Sequence, residues 1–76
     1  MAQREHQFTI IVEPCEEGGY YAECPSLPGC HVQGETYEET MVEMKSAITG
    51  FVDDYRKGGQ DIPDDSVTVT SLKVAI

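Results

Sequence analysis

The sequence predicts an α+β domain of order β-β-β-α-β, and three observations predict it. Period-two alternation of apolar residues runs through residues 8–35, broken by two turn segments. A stripe of apolar residues spaced by four and three follows a helix-capping pair, Thr36 and Glu39. Behind the helix, Ser66 to Ile76 is rich in β-branched residues.

From Phe8 to Glu13 the run F-T-I-I-V-E puts Phe8, Ile10 and Val12 on one face and Thr9, Ile11 and Glu13 on the other, which predicts a strand. Pro14 to Gly19, P-C-E-E-G-G, supplies a ring without an N–H and two glycines, the chemistry of a hairpin loop. Tyr20 to Cys24 predicts a second strand, with Tyr20, Ala22 and Cys24 inward and Tyr21 and Glu23 outward. Pro28 and Gly29 in P-S-L-P-G fit the central positions of a type II turn, and Cys30 to Glu35 alternates again with Cys30 and Val32 inward. Three antiparallel strands follow from this pattern.

Thr36 with Glu39 forms a capping box, behind which Tyr37, Met41, Met44, Ile48, Phe51 and Tyr55 lie on one side of a helix ended by Gly58 and Gly59. Ser66 to Ile76 then reads as a fourth strand whose apolar phase slips. Val67 and Val69 are odd, whereas Leu72, Val74 and Ile76 are even. Either a bulge near Thr70 and Ser71 or burial of two opposite faces, one against the helix and one against another subunit, accounts for the slip. A right-handed crossover through the helix returns the fourth strand parallel to the first, predicting the sheet order 3-2-1-4.

A chain of 76 residues makes a single domain, residues 1–76, because two would each fall below the size that holds a core. With 39% apolar residues and no Trp, that core is small, so a homo-oligomer is expected, a dimer or a tetramer. Strand four at the sheet edge offers Leu72, Val74 and Ile76 as the oligomer interface. The net charge of −9 creates a field that repels phosphate, so direct nucleic-acid binding by this chain alone is disfavoured. Met1 to Gln7 has no apolar leader core and nowhere do 18 apolar residues run together, so no membrane partner and a cytoplasmic location are expected.

Clustered chemistry is sparse. Glu13, Glu23 and Glu35 share one sheet face by parity, as a two-metal nuclease would require, but no Asp precedes Asp53 and the centre of strand one is Thr9, Ile10 and Ile11. They read as solvated surface residues. Cys15, Cys24, Cys30 and His31 hold the ligand types that zinc prefers, yet C-x5-C-H matches no ligand knuckle and adjacent Cys30 and His31 point to opposite faces. Three cysteines without a C-x-x-C pair argue for free, mostly buried thiols in a reducing compartment. No catalytic residue, metal or cofactor is expected.

The stretch Gly18 to Glu39, G-G-Y-Y-A-E-C-P-S-L-P-G-C-H-V-Q-G-E-T-Y-E-E, resembles the HicB family of antitoxins. That family carries a strand, a Pro-x-Leu-Pro-Gly turn and then Gly-acid-Thr-x-x-Glu opening a helix. The likeness extends more loosely to the first strand and to Ile62 and Pro63, and so covers almost the whole chain. Thr40 and Ser26 stand where alanine and an acidic residue are usual. Many members add a C-terminal helix-turn-helix or ribbon-helix-helix domain for operator binding, so with the sequence stopping at Ile76, operator binding by this chain alone is not expected.

The resemblance implies a partially degraded RNase H fold and a protein that binds and neutralises a small basic HicA-type toxin, an mRNA-cleaving ribonuclease. An orphan oligomeric interaction domain without a toxin is the alternative, and a residual metal-dependent RNase H-like nuclease the third reading. If the helix covers Phe8, Ile10 and Val12, the opposite face remains for the partner. There Ile11 and Tyr21 lie among Glu13, Glu23 and His31, with the Leu27 turn beside them, so apolar anchors sit inside a carboxylate rim.

Overall fold

The fold is known from a computed structural model, which describes residues 6–76. The reading of Met1 to Gln7 as no secretory leader therefore falls mostly outside the described residues. The element order is β1 (Ile11–Pro14), β2 (Tyr20–Glu23), β3 (His31–Gly34) and α1 (Tyr37–Lys57). The strands form one antiparallel sheet in the order β1-β2-β3.

Strand β1 begins three residues later than the alternation suggests, and the register gives the reason. Ile11 pairs with Glu23, so Thr9 would lie opposite Pro25, which has no N–H to offer. The chain at that point is already turning: Leu27 N–H donates to Cys24 O at 3.0 Å and Cys24 N–H to Cys30 O at 2.9 Å. Pro14 is tolerated as the last residue of β1 because β1 is an edge strand. The type II turn forms as expected, with Gly29 at φ +86° and Cys30 N–H donating to Leu27 O at 2.9 Å.

Helix α1 starts where Thr36 Oγ1 accepts the Glu39 N–H at 3.1 Å. It ends in a Schellman motif: Gly59 N–H donates to Arg56 O, Gln60 N–H donates to Tyr55 O at 2.9 Å, and Gly59 takes φ +69°. Glu38 and Glu39 in the first turn and Arg56 and Lys57 in the last complement the helix dipole. The apolar stripe packs over β2 and β3, and the core comprises Ala22, Cys24, Leu27, Cys30 and Met44. Phe8, Ile10, Val12, Val32, Ile48, Phe51 and Tyr55 are half-buried around it.

Thr40 is also fully buried, one position outside the stripe that the periodicity marks. Its hydroxyl donates to Thr36 O at 2.7 Å, so the polar atom costs nothing in the core. Gly34, the last residue of β3, makes this packing possible. A Cβ there would lie 2.5 Å from Thr40 Oγ1 and 2.9 Å from Thr40 N, so strand and helix approach each other through the missing side chain.

Among the described residues, no fourth strand is formed. Residues 60–76 take neither helix nor strand and make no ladder, and the observed order β1-β2-β3 stops short of 3-2-1-4. Asp65 instead ties the start of this segment to the body: its carboxylate accepts from Thr9 Oγ1 and Ser26 Oγ, both at 2.8 Å. Beyond Val67 the side chains are exposed. Among the described residues no helix is long and apolar enough to cross a membrane.

Candidate functional site

Alternation puts the odd residues of the three strands on the sheet face away from α1, and the pairing register aligns them in two rows. Ile11, Glu23 and His31 form one row, and Glu13, Tyr21 and Gln33 the other. Ile11, Tyr21 and Glu23 are half-buried by their neighbours, whereas Glu13, His31 and Gln33 stand in solvent. The Tyr21 and His31 rings lie 5.8 Å apart at 30°, a tilted pair that fixes the tyrosine against β3. The face is thus a small apolar centre, Ile11 and Tyr21, flanked by two carboxylates.

Five of the six residues expected on the partner face, Ile11, Glu13, Tyr21, Glu23 and His31, come together there. Leu27 does not. It is 0% exposed, held inside the turn by its own amide and carbonyl, and belongs to the core. A turn leucine between two prolines looks exposed in sequence, but the turn folds under the sheet and the helix closes over it. Gln33 was not singled out, although its parity with His31 would have placed it on this face.

The thiols lie elsewhere. Cys24 and Cys30 are buried on the helix side, Cys30 Sγ lying 3.9 Å from Met44 Sδ, while His31 points to the outer face. Burial pushes both thiols above the usual cysteine range, aided at Cys30 by Cys24; backbone N–H donors from Leu27 and Ser26 partly offset the rise at Cys24. The neutral, unreactive form is therefore favoured. Among the described residues no three of His, Cys, Asp or Glu converge as a metal cluster would require. Glu13 and Glu23 sit diagonally on neighbouring strands, each directly opposite a different residue.

A depression of about 610 Å³ lies at the far end of the sheet between the β1–β2 turn and Gly34. Its wall is Cys15, the turn glycines, Tyr20, Gln33 and the carboxylates of Glu17 and Glu35, an open bowl without a paired nucleophile and base. The sheet face itself combines apolar side chains, which exclude water when covered, with carboxylates, which attract cations.

Residues 8–75 match the family model described as the HicB_like antitoxin of bacterial toxin-antitoxin systems. The UPF0150 protein ssr1765 of Synechocystis is 32% identical over 93% of this chain and 90% of its own length. A UPF0150 protein of Archaeoglobus fulgidus is 36% identical over 88% of this chain and 96% of its own. Antitoxin HicB 1 of Photorhabdus laumondii is 32% identical over 75% of this chain, but over only 37% of its own length. The chain belongs to the HicB-like antitoxin family.

Proposed function

We propose that this chain is an antitoxin that works by binding and not by catalysis, capturing a small basic mRNA-cleaving toxin of the HicA type in the cytoplasm. The observation that carries the reading is the register that gathers Ile11 and Tyr21 between Glu13 and Glu23 on the one sheet face the helix leaves bare. A ribonuclease surface built to hold phosphate is basic, and a protein of net charge −9 competes for the same cations. Exposed ion pairs contribute only about 0 to 1 kcal/mol each, so the tightness of the complex comes from the apolar centre. The β-β-β-α order supports a remnant of the RNase H arrangement as the scaffold.

The neutralising species is a homo-oligomer, and Leu72, Val74 and Ile76 supply its apolar contacts; their exposure supports this part of the reading. That same exposure favours the second reading, an oligomeric interaction domain without a toxin. The two are separated by measuring subunit stoichiometry and toxin neutralisation on Ile11→Ala, Tyr21→Ala and the pair Glu13→Lys with Glu23→Lys. Loss of neutralisation at unchanged stoichiometry supports the antitoxin face. Changed stoichiometry assigns the face to assembly, and unchanged neutralisation in all four substitutions rejects it.

A further inference from the structure

Among the described residues, the segment after Asp65 joins no sheet, and the sheet has three strands. Val69 is 70% exposed, Leu72 86%, Val74 70% and Ile76 116%, an apolar run left in water. The accessible surface of the chain is 6393 Å². A compact monomer of 8.4 kDa presents about 4,600 Å². The radius of gyration, 14.7 Å, likewise exceeds the roughly 11 Å of a compact chain of this length, and the long axis reaches 51 Å against 29 and 22 Å. Two chains that each recovered the excess of roughly 1,800 Å² would bury an area in the obligate-dimer range, about 2,000 to 5,000 Å².

The missing strand has a defined berth. Among the described residues, strand β1 is an edge with one side unpaired, and α1 lies over β2 and β3 but not β1. Between residues 8–10 and the helix this leaves an open groove of about 260 Å³, lined by Phe8, Ile10, Met41, Met44 and Ile48 with Lys45 at its rim. Residues 70–76 equal residues 8–14 in number, so an extended tail matches the edge in length. With Leu72, Val74 and Ile76 turned into the groove, alternation turns Lys73 to the face that carries Glu13 and Glu23. Lys73 is the only charged residue of the segment 66–76, so this tail offers nothing to a basic partner and much to another copy of the same groove.

We infer that residues 70–76 of each chain pair along the free edge of β1 in a second copy of this chain, Leu72, Val74 and Ile76 filling the groove between Phe8, Ile10 and α1. Two such exchanges close a twofold dimer without leaving a free β1 edge. The hydrogen bonds from Thr9 and Ser26 to Asp65 fix where the tail departs, and Thr70 and Ser71, where the apolar phase changes, mark the crossing point. The inference rests on the homo-oligomer of the proposed function and is independent of toxin binding.

The test uses the full chain. Sedimentation equilibrium at tens of micromolar is expected to return a dimer, and Leu72→Glu with Val74→Glu to raise its dissociation constant by about 100-fold or more, the scale of two buried aliphatic side chains. Both positions are exposed in the single chain, so circular dichroism of the helix is expected to be unchanged. In a mixture of isotope-labelled and unlabelled chains, filtered nuclear Overhauser spectra are expected to connect the Leu72 and Val74 methyls to Met41 and Ile48 between chains. A monomeric wild type overturns the oligomer and the exchange together. A dimer indifferent to the tail substitutions, or the same methyl contacts found only within one chain, overturns the exchange and leaves the oligomer standing.

Discussion

Gly34 and Leu27 show how single residues set this fold. Gly34→Ala would push a methyl into Thr40, whose backbone cannot retreat without moving the start of α1, so a loss of about 1 to 3 kcal/mol is expected in urea unfolding. Leu27→Ala opens a cavity in a fully buried site and is expected to cost about 2 to 5 kcal/mol by the same measurement. Asp65 acts through charge. Hydroxyl donors from Ser26 and Thr9 hold its carboxyl below the usual carboxylate range. A lowered value in the folded state means that its contribution is present above the ordinary carboxylate pKa and is lost as pH falls through the lowered one. Thermal melts of the wild type from pH 7 to pH 2 are therefore expected to show an acid-side loss that is smaller in Asp65→Asn. The buried thiols have the opposite sign: raised values favour the folded state below the ordinary thiol pKa, and that contribution is lost as pH rises through the raised values. Half-exposed Cys15 is expected to alkylate before Cys24 and Cys30 in the native protein, as peptide mass mapping of partially modified samples would reveal.

The elements differed in how openly the sequence declared them. Helix α1 was legible at both ends because its signals are local: Thr36 and Glu39 three residues apart, and two glycines where the left-handed cap is needed. Thr36→Ala is expected to cost about 1 kcal/mol of stability, and Thr36→Asp to retain most of it. The strands were legible in phase but not in length. Whether Thr9 and Ile10 join a ladder depends on what lies opposite them, and a pairing register with Pro25 cannot be read from their own segment. The outer sheet face was legible for the same reason as the strands, since parity alone gathers Ile11, Glu13, Tyr21, Glu23 and His31. Leu27 escaped because its place depends on how a turn tucks beneath the helix, a tertiary matter. The fourth strand is the clearest case: β-branched residues predict a strand over Ser66 to Ile76, but composition cannot supply a ladder partner, and the segment takes no strand in the structure.

At the scale of the whole molecule, the proposed function gives charge and shape separate parts. A net charge of −9 attracts cationic surfaces from a distance, so, on the proposed function, Glu13→Lys with Glu23→Lys is expected to lower the rate of toxin association and its salt dependence, read by stopped flow at two ionic strengths. Ile11 and Tyr21 act only at contact, so their truncation is expected in the dissociation rate. A family defined by antitoxins, a bare face of apolar anchors among carboxylates and a strongly acidic surface meet in one claim, that this face captures and silences a basic ribonuclease. The direct measurement is a titration of RNA cleavage by a HicA-type toxin against this protein and against its Ile11→Ala, Tyr21→Ala variant of unchanged assembly state. The account predicts that the wild type stops cleavage near equivalence and that the variant requires about tenfold more or fails; equal inhibition by both, or cleavage untouched by the wild type, would contradict it.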